Sequence, residues 1–376
     1  MTRRICYLTG TRADYGLMAS TLRAIDADQR LQLQLIVTGM HLSHRYGSTV
    51  VEIEKDGFTI GARVPVELGD TSAAGMAMNL GHMLIGFVPA LQVIRPDLLL
   101  LLGDRGEMLA GALAAIHLGI PVAHLHGGER SGTVDEPVRH AISKLAHLHL
   151  VATVDACDRL VRMGERGDRV HVVGAPGLDG LLDVTRLDRA DLCREVGFDP
   201  ALPIGLLVFH PVLQEAEEAA NQMRTLIAAA KGVQVLALMP NSDAGSEGVR
   251  RELTAAATHD GKVCIRTHLQ RHEYIAWLAA CDVLLGNSSS GIIEAASFGT
   301  PVVNIGSRQN MRERNLNITD VPVEIDAIRT ALTGALAHGR FAPTNVYGDG
   351  HAGPRIVDVL ATTTLSSGLM AKCNAY

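Results

Sequence analysis

The sequence predicts an α/β protein with two doubly wound parallel-sheet domains that face each other across a cleft. Three observations predict this class. The chain has 376 residues, and single hydrophobic cores usually split into domains beyond ~250–300 residues. Short apolar runs alternate with longer helical patterns in both halves. Most of the unusual polar residues follow those runs directly, where parallel sheets bind ligands.

The predicted strands are short runs rich in leucine or β-branched residues. In the first half they are RICYLTG, LQLQLIVTG, DLLLLLGD, PVAHLHGG, HLHLVAT and RVHVVGAP, and in the second half IGLLVFHP, VQVLALMP, KVCIRTH, DVLLGNSS and PVVNIG. Strands that are apolar throughout are typical of parallel sheets covered by helices on both faces. Each half is therefore predicted to form one such sheet.

The two halves are predicted to meet near GAPGLDG, residues 174–180, where glycine and proline cluster after the last strand of the first half. The predicted domains are an N-terminal domain of residues 1–174 and a C-terminal domain of residues 175–353. Only the tail after Ser366 is expected to lack regular structure.

Composition and charge exclude several classes of partner. The net charge is −6 and the basic residues are scattered, so no stripe of Lys and Arg is available to neutralise nucleic-acid phosphates. The N-terminal apolar run is too short for a signal peptide, and the longest apolar run, Leu98–Gly103, is far shorter than a membrane span. The six cysteines lie far apart without a CxxC pair. We therefore expect a cytoplasmic protein with reduced thiols and no nucleic-acid or membrane partner.

The segment GNSSSGIIE indicates a phosphate site in the second half. A strand delivers Ser288, Ser289 and Ser290 to the start of a helix, where hydroxyls and free N–H groups attract an anion. Glu294, one turn later, could accept hydrogen bonds from the two hydroxyls of a ribose. The alternatives are an ordinary serine cap and a favourable charge near the helix start. The chain has no GxxxxGK[ST] P-loop and no GxGxxG after the first strand.

The first half carries acidic and basic residues at its strand ends. They are Asp104 and Arg105 after one strand, His126 and Glu129 after the next, and Asp135 and Arg139 at the start of a helix. Carboxylates that converge at strand ends are typical of acid/base catalysis. The alternative for Asp135 and Arg139 is a salt bridge on the helix surface. Four other histidines lack metal-ligand spacing and are interpreted as core or surface residues: His124, His140, His147 and His149.

Together these segments carry a family resemblance. TGTRADYG, GDRGE, HGGERSGTVDEPVRHAISKLAHLH, HPV, MPNSDAG, GNSSSGIIEAASFGTPVVNIGSRQ and VYGDGHAGPRIVDVL resemble, in order, the hydrolysing UDP-N-acetylglucosamine 2-epimerases of sialic-acid biosynthesis. The resemblance implies a glycosyltransferase-B-like fold of two Rossmann-like domains, with the C-terminal segment 354–376 joining the first domain through a helix near 354–365. It also implies that UDP is eliminated across C1–C2 to a 2-acetamidoglucal, to which water adds to give UDP and free N-acetylmannosamine.

The resemblance also implies roles for individual residues. Those implied to bind the nucleotide are Arg12, His210, Ser288, Ser289 and Ser290 at the diphosphate, Glu294 at the ribose, and Asn241, His268 and Arg308 on the same side. Asp104, Asp135 and Arg139 are implied to surround the sugar, with His41 nearby. Several relatives have a catalytic glutamate where this chain has His126, and this chain keeps Glu129 three residues later. That difference leaves the general base open between them, and it suggests a different sugar, such as a 2,4-diacetamido-6-deoxy analogue used for legionaminic acid.

Two other functions remain open from the sequence, a glycosyltransferase of the same architecture and a non-catalytic sugar-nucleotide sensor. The catalytic candidates are therefore Asp104, His126, Glu129, Asp135 and Arg139, and Arg105 is a candidate for substrate binding. No cofactor or metal is expected. The segment MAMNLGHMLIGFVPALQVI is apolar around most of its helical circumference, which, with the resemblance, predicts a homodimer or homotetramer.

Overall fold

The computed structural model describes residues 2–70, 72–131, 135–182, 187–241 and 243–375. Thirteen strands in this part of the chain form two separate parallel sheets. The predicted α/β class with two doubly wound sheets is confirmed. Each sheet is flanked by helices because its strands are apolar on both faces.

The first sheet has seven strands in the order β3-β2-β1-β4-β5-β6-β7. The strands are β1 (Arg3–Thr9), β2 (Leu31–Thr38), β3 (Ile60–Val64), β4 (Leu98–Leu102), β5 (Val122–Leu125), β6 (Leu148–Val151) and β7 (Val170–Val172). The connecting helices are α1 (Arg12–Ala27), α2 (Val50–Lys55), α3 (Ala73–Ile94), α4 (Gly106–His117), α5 (Asp135–Leu145) and α6 (Val154–Arg162). The strand order reverses between β1 and β4, which opens a crevice at their carboxyl ends.

The second sheet has six strands in the order β10-β9-β8-β11-β12-β13. The strands are β8 (Ile204–Val208), β9 (Gln234–Leu238), β10 (Val263–Arg266), β11 (Val283–Gly286), β12 (Val302–Ile305) and β13 (Ile318–Val321). The helices are α7 (Arg189–Val196), α8 (Ala219–Ala229), α9 (Ser246–His259), α10 (Arg271–Ala280), α11 (Ser289–Ile293) and α12 (Ile325–His338). Here the order reverses between β8 and β11, so this sheet has an equivalent crevice.

Two strands were not predicted, β3 and β13, and both lie at a sheet edge. Their residues are partly exposed, in contrast to the fully buried strands β4, β5 and β8. An edge strand needs no continuous apolar run because one side of it faces solvent. The sequence signal on which the strand predictions depend was therefore absent.

The C-terminal segment returns to the first sheet. Helix α13 (Ala352–Thr362) places Ile356 and Leu360 in the same core cluster as Met18 and Leu22 of α1. The expectation of a loose tail after Ser366 was wrong. The tail forms the short helix α14 (Ser367–Met370), and the ammonium of Lys372 then lies 2.7 Å from the buried carboxylate of Glu165.

Helix α3 is unusual because much of its apolar surface faces outward. Met83, Phe87 and Leu91 are buried against the first sheet, whereas Ile85 and Val93 keep 72% and 79% of their surface exposed. In the described residues α3 is the one helix long and apolar enough to cross a membrane by length and composition, which is weak support for a membrane span. Its buried face belongs to the core of the first domain.

Candidate active site

The candidate site lies where the crevices of the two sheets face each other. In the first sheet Leu102 of β4 is opposite Leu125 of β5, so Asp104 and His126, which follow those strands, are brought side by side. In the second sheet Gly286 of β11 pairs with Val208 of β8. The segments that begin at Phe209 and Asn287 are neighbours for the same reason. The strand-end residues of both halves thus converge, as predicted.

A cavity of about 380 Å³ lies between the two halves and is lined by both. Its polar lining includes Asp104, Arg105 and Asp135 from the first half and Asp243 and Arg308 from the second. The apolar part of the lining includes Met76, Leu80, Met83, Val138 and Leu213. The cavity therefore has a charged end and a hydrocarbon wall that is mostly supplied by α3.

Arg139 is paired with Asp104, one of the acidic residues of the first half. Its guanidinium donates through Nη2 to Oδ2 of Asp104. Arg139 is only 1% exposed, so it is not the helix-surface residue that the alternative interpretation required. Its Nε and Nη1 are buried without a hydrogen-bond partner among the described residues. A buried guanidinium with free donors is costly unless another acceptor meets it.

Arg105 lies at the start of α4 and carries a second positive charge into the cavity. Its Nε lies 3.2 Å from Oε1 of Glu107, and its Nη1 lies 3.7 Å from Oδ1 of Asp243 in the second half. The nearby carboxylate of Glu107 raises the pKa of Arg105 above its ordinary value in spite of burial. Arg105 therefore stays charged and links the two halves electrostatically.

His126 and Glu129 form a buried pair at the end of β5. Nδ1 of His126 and Oε1 of Glu129 are hydrogen-bonded, and Oε2 of Glu129 lies 2.8 Å from Nη1 of Arg312 in the second half. Burial favours the neutral form of Glu129, but Arg312 and His126 outweigh it and lower the pKa of the Glu129 carboxyl. Glu129 is thus ionised, and it orients the His126 ring.

The backbone of this turn explains why its sequence is HGGE. His126 has a φ of +59° and Gly128 a φ of +77°, both in the left-handed region. A Cβ on Gly128 would lie 2.4 Å from the carbonyl oxygen of Ala156, so only glycine fits. A non-glycine residue in this region is uncommon and is found where surrounding structure compensates the strain. Its occurrence at His126 fits a residue placed for chemistry.

His124, two residues before His126, has a structural role. His124 has Nδ1 within 3.1 Å of Oγ of Ser143 and Nε2 within 2.7 Å of the carbonyl oxygen of Gly103. Burial lowers the pKa of His124 to about 3. It is a satisfied core histidine, as predicted.

A buried polar network lies at the end of β1. Asp14 accepts hydrogen bonds from the backbone N–H groups of Gly10 at 3.1 Å and Thr11 at 2.8 Å. Thr9 donates its hydroxyl to Asp14 and also lies 2.9 Å from Nε2 of His41. Burial raises the pKa of Asp14 to about 6. The network fixes the TGTRAD turn that leads into α1.

The structure does not place His41 as the resemblance implies. Its ring is fully buried, with Nε2 near Thr9 and Nδ1 2.8 Å from Oγ1 of Thr49. Burial lowers the pKa of His41 to about 4, so the ring is neutral. Both ring nitrogens are occupied, and the neighbouring Gly39 and Met40 line the cavity instead. His41 therefore supports the cavity wall, and direct contact with a sugar would require these bonds to break.

Arg12 and His268 lie at the boundary between the halves. Arg12 donates through Nη2 to the carbonyl oxygen of Thr267 at 3.2 Å. Its Nη1 is buried without a hydrogen-bond partner in the part of the chain described. Nε2 of His268 lies 2.8 Å from Oε1 of Glu52 in α2. Both side chains, which the resemblance implies contact the nucleotide, thus bridge the two halves.

His210 and Asn241 follow strands of the second half, and the resemblance implies that they bind the nucleotide. The amide of Asn287 holds the backbone of His210 through two hydrogen bonds of 2.8 Å. Burial lowers the pKa of His210 to about 3, so the ring is neutral. Within the described residues Nδ1 of His210 and Oδ1 of Asn241 are both buried without a hydrogen-bond partner. The side chain of Asn241 lies close to the His210 ring and partly opposes the effect of burial on its pKa.

The three serines open helix α11, which has only five residues. Ser288 is the N-cap, and its Oγ accepts from the N–H of Ser290 at 3.3 Å. The hydroxyl of Ser290 lies 2.9 Å from that of Ser288 and is also hydrogen-bonded to Tyr274. The ordinary cap is thus present. A helix this short contributes little dipole, so hydroxyls and nearby cations would have to supply most of any attraction for phosphate.

Glu294 lies at the C-cap of α11 and is 1% exposed. Its Oε1 accepts a hydrogen bond of 2.5 Å from Nη2 of Arg271, which also donates to the carbonyl oxygen of Gly177 at 2.8 Å. Its Oε2 is buried with no hydrogen-bond partner among the residues described. Arg308, which lines the cavity, donates to the carbonyl oxygen of Asn287 at 3.2 Å. A fixed carboxylate and a fixed guanidinium therefore flank α11.

Sequence reasoning missed several residues of this constellation. The most important is Arg312. It lies in the segment IGSRQNMRER, which follows a predicted strand and is therefore expected to contribute to the site. Arg312 is distinguished from Arg308 and Arg314 in the same loop by its contact with Glu129 across the cleft, which the sequence does not show. Asp243 and Arg271 were missed for the same reason, since their partners Arg105 and Glu294 lie on other elements.

Comparison with known proteins decides between the candidate functions. The profile of the UDP-N-acetylglucosamine 2-epimerase family matches residues 23–361. The chain belongs to this family. It is 50% identical, over the full length of both chains, to a hydrolysing UDP-N,N′-diacetylbacillosamine 2-epimerase of Legionella pneumophila. The predicted hydrolysing 2-epimerase function is thereby confirmed over the glycosyltransferase alternative.

One further relative supports the family assignment, and one solved structure matches the fold. A UDP-N-acetylglucosamine 2-epimerase of Neisseria meningitidis is 33% identical over 93% of this chain and 91% of its own. A crystal structure of a Neisseria meningitidis UDP-GlcNAc 2-epimerase bound to UDP-GlcNAc superimposes with a TM-score of 0.80 at 19% identity, over 96% of this chain and all of the other. The structural match shows the shared fold.

Proposed function

We propose that this epimerase acts on a UDP-linked 2,4-diacetamido-6-deoxy sugar and releases UDP and the free manno-configured sugar. The observation that carries this choice is the apolar wall of the cavity beside Asp104 and Asp135. The name of the 50% identical Legionella relative points to the same sugar class. Such a product suits the biosynthesis of legionaminic acid, which the departure from the family at His126 also suggests.

The apolar wall distinguishes the two candidate sugars by their C6 groups. N-acetylglucosamine carries a hydroxyl at C6, whereas the 6-deoxy analogue carries a methyl. A hydroxyl against Met76, Leu80 and Met83 would lose water without gaining a hydrogen bond, whereas a methyl gains about 0.8 kcal/mol from burial. The wall therefore favours the deoxy sugar.

The two halves would divide the chemistry between them. In the elimination, a base takes the C2 proton, the C2–H electrons form the C1–C2 double bond, and UDP leaves with the electrons of the C1–O bond. Negative charge then grows on the diphosphate, where Arg12, Arg308 and the neutral His210 can provide donors. Water then adds across the double bond, giving a hydroxyl at C1 and a proton on the opposite face of C2.

His126 and Glu129 are the proposed acid/base pair at C2, together with Asp104 and Asp135. When Nδ1 of His126 donates to Glu129, Nε2 keeps a lone pair that can accept a proton. This arrangement supports one of the two alternatives that the sequence left open. The histidine is the group that accepts the proton, and the glutamate orients it.

We also propose that α3 is buried in a homo-oligomer and that the protein is cytoplasmic. The buried face of α3 cannot leave the first domain without exposing its core, so a second copy suits the outer face better than a bilayer. The described cysteines are all free thiols, which supports a reducing compartment.

Competing turnover of the two UDP-sugars tests the substrate. We expect kcat/KM for the 2,4-diacetamido-6-deoxy sugar to exceed that for UDP-N-acetylglucosamine by at least about 10-fold, the scale of one well-placed methyl against a desolvated hydroxyl. Met83→Asn should narrow the difference, and Met78→Asn, on the exposed side of α3, should leave it unchanged. Equal or reversed preference in the wild-type enzyme would contradict the proposed substrate.

A further inference from the structure

Arg312 and Glu129 form a buried ion pair between the two halves of the protein. Glu129 follows β5 in the first sheet and Arg312 follows β12 in the second, yet their side chains keep only 4% and 9% exposure. The other cross-cleft ion pairs are more open; Arg45 and Glu247, for example, keep 44% and 56%. Removing one partner of a buried ion pair destabilises a protein far more than removing one partner of an exposed pair, because the remaining buried charge has no counter-charge.

The pair is embedded in contacts that fix both of its ends. On the Arg312 side, the guanidinium of Arg314 donates to the carbonyl oxygen of Arg312 at 2.7 Å and pairs with Asp320 at 2.9 Å. On the Glu129 side, Arg159 donates to the carbonyl oxygen of Gly128 at 2.7 Å. These contacts hold the backbone at each end of the pair, so moving the halves apart would separate the guanidinium from the carboxylate. The ion pair therefore exists only when the two sheets approach as closely as they do here.

We propose that Arg312 is a positioning residue that couples the approach of the two domains to the charge and hydrogen bonding of the His126–Glu129 pair. The proposal rests on the acid/base role given to that pair under Proposed function. With Arg312 in place, Glu129 is an anion that fixes the His126 ring. Without it, Glu129 is a buried carboxylate with no cation opposite Oε2, and it favours the neutral form.

The consequence is an enzyme whose base is complete only when the cleft is closed around the nucleotide sugar. The second half supplies Arg312 and most of the proposed nucleotide-binding groups, so binding of UDP would bring the cation to Glu129. The charged and titratable groups near Glu129 are His124 and His126 on its own segment, Arg159 of α6 at the neighbouring Gly128 carbonyl, and Arg312, Glu313 and Tyr347 from the second half. Arg312 is the cation of this group in direct contact with the carboxylate.

Three variants measured by steady-state kinetics test the proposal. Arg312→Gln should lower kcat on the order of 10–10²-fold with a smaller change in KM, since it acts through a positioned acid/base group. The acidic limb of its kcat/KM profile should move to higher pH, because loss of Arg312 lets burial raise the pKa of Glu129. Arg312→Lys should recover part of both effects. Arg45→Gln, which breaks an exposed cross-cleft pair, should change neither.

A double variant separates action through Glu129 from a general structural role. Adding Arg312→Gln to Glu129→Gln should cost little beyond Glu129→Gln alone, because the interaction is already removed. Full additivity, or an Arg312→Gln enzyme that matches Arg45→Gln in its pH profile, would overturn the proposal.

An NMR measurement that needs no catalytic turnover distinguishes failure of the Arg312 proposal from failure of the proposed function. With UDP bound and histidines labelled with ¹⁵N, the ring signals that His126→Gln removes identify His126. We expect Arg312→Gln to shift these signals, which report tautomer and protonation, and Arg45→Gln to leave them in place. If wild-type enzyme releases no UDP from either sugar, the proposed function fails. Unchanged His126 signals in Arg312→Gln would overturn the role of Arg312 even in an active enzyme.

Discussion

Oε1 of Glu294 accepts a 2.5 Å hydrogen bond from Nη2 of Arg271, whereas Oε2 is buried and lacks a hydrogen-bond partner among the described residues. Half of this carboxylate is thus committed to the protein, and the other half is left for a ligand. An unsatisfied buried acceptor costs roughly 1–3 kcal/mol, more if charged, which a ribose hydroxyl would relieve.

Glu294→Gln and Ser289→Ala should therefore weaken binding of UDP and raise KM more than they lower kcat, since they lie beside parts of the substrate that do not react. Calorimetric titration with UDP measures the affinity. Asp326→Asn, an exposed carboxylate of the second half, is the matched control and should bind UDP normally. Unchanged UDP affinity in both site variants would remove the ribose and phosphate assignments.

Asp104→Asn and Asp135→Asn should each lower kcat on the order of 10²–10⁴-fold and leave UDP affinity nearly unchanged, the range for loss of a positioned acid or base. Asp104→Asn also removes the charge that Arg139 meets, so it should lower Tm as well. Thermal unfolding separates the two effects. Variants that keep full kcat would exclude these carboxylates from the chemistry.

His126→Gln and Glu129→Gln test which member of the buried pair reacts. Since Glu129 orients the ring, we expect the larger loss of kcat for His126→Gln and a loss also for Glu129→Gln, with KM changed less in both. Single-turnover rates at saturating substrate give the comparison. A small effect of His126→Gln beside a large effect of Glu129→Gln would make the glutamate itself the base.

The outer face of α3 should associate in solution. Light scattering at micromolar concentration should give a dimer or tetramer, and Ile85→Lys with Val93→Lys should shift the mass toward the monomer, because both side chains are exposed and apolar. Val172→Lys, on an exposed valine of β7, should leave the mass unchanged. A monomeric wild-type protein would contradict the proposed oligomer.

The sequence predicted the fold well because central strands carry their own signal. Eleven of the thirteen described strands contain apolar runs that are visible in the sequence, among them the edge strands β7 and β10, whereas the partly exposed edge strands β3 and β13 lack such a run. The expectation that site residues directly follow the strands also located Asp104, His126 and Ser288. The same expectation could not predict contacts across the cleft, such as that of Arg312 with Glu129, because these depend on how closely the two domains approach each other.

The burial of individual side chains also could not be predicted from the sequence. His41 and His126 both follow strands of the first sheet, but His41 is enclosed by Thr9 and Thr49, whereas His126 adopts a left-handed backbone and pairs with Glu129. Arg139 has the spacing of a surface salt bridge and is buried instead. For His41 and Arg139 the neighbours that decide the role come from another element, whereas the partner of His126 is Glu129 in the same turn.

Deuterium incorporation tests the proposed elimination and addition most directly. If the C2 proton is removed and a solvent proton is returned to the opposite face, turnover in D₂O must give a free manno-configured sugar with one deuterium at C2, whichever residue is the base. Proton NMR of the released sugar should show the C2 proton signal lost. A product that keeps hydrogen at C2 would rule out this mechanism.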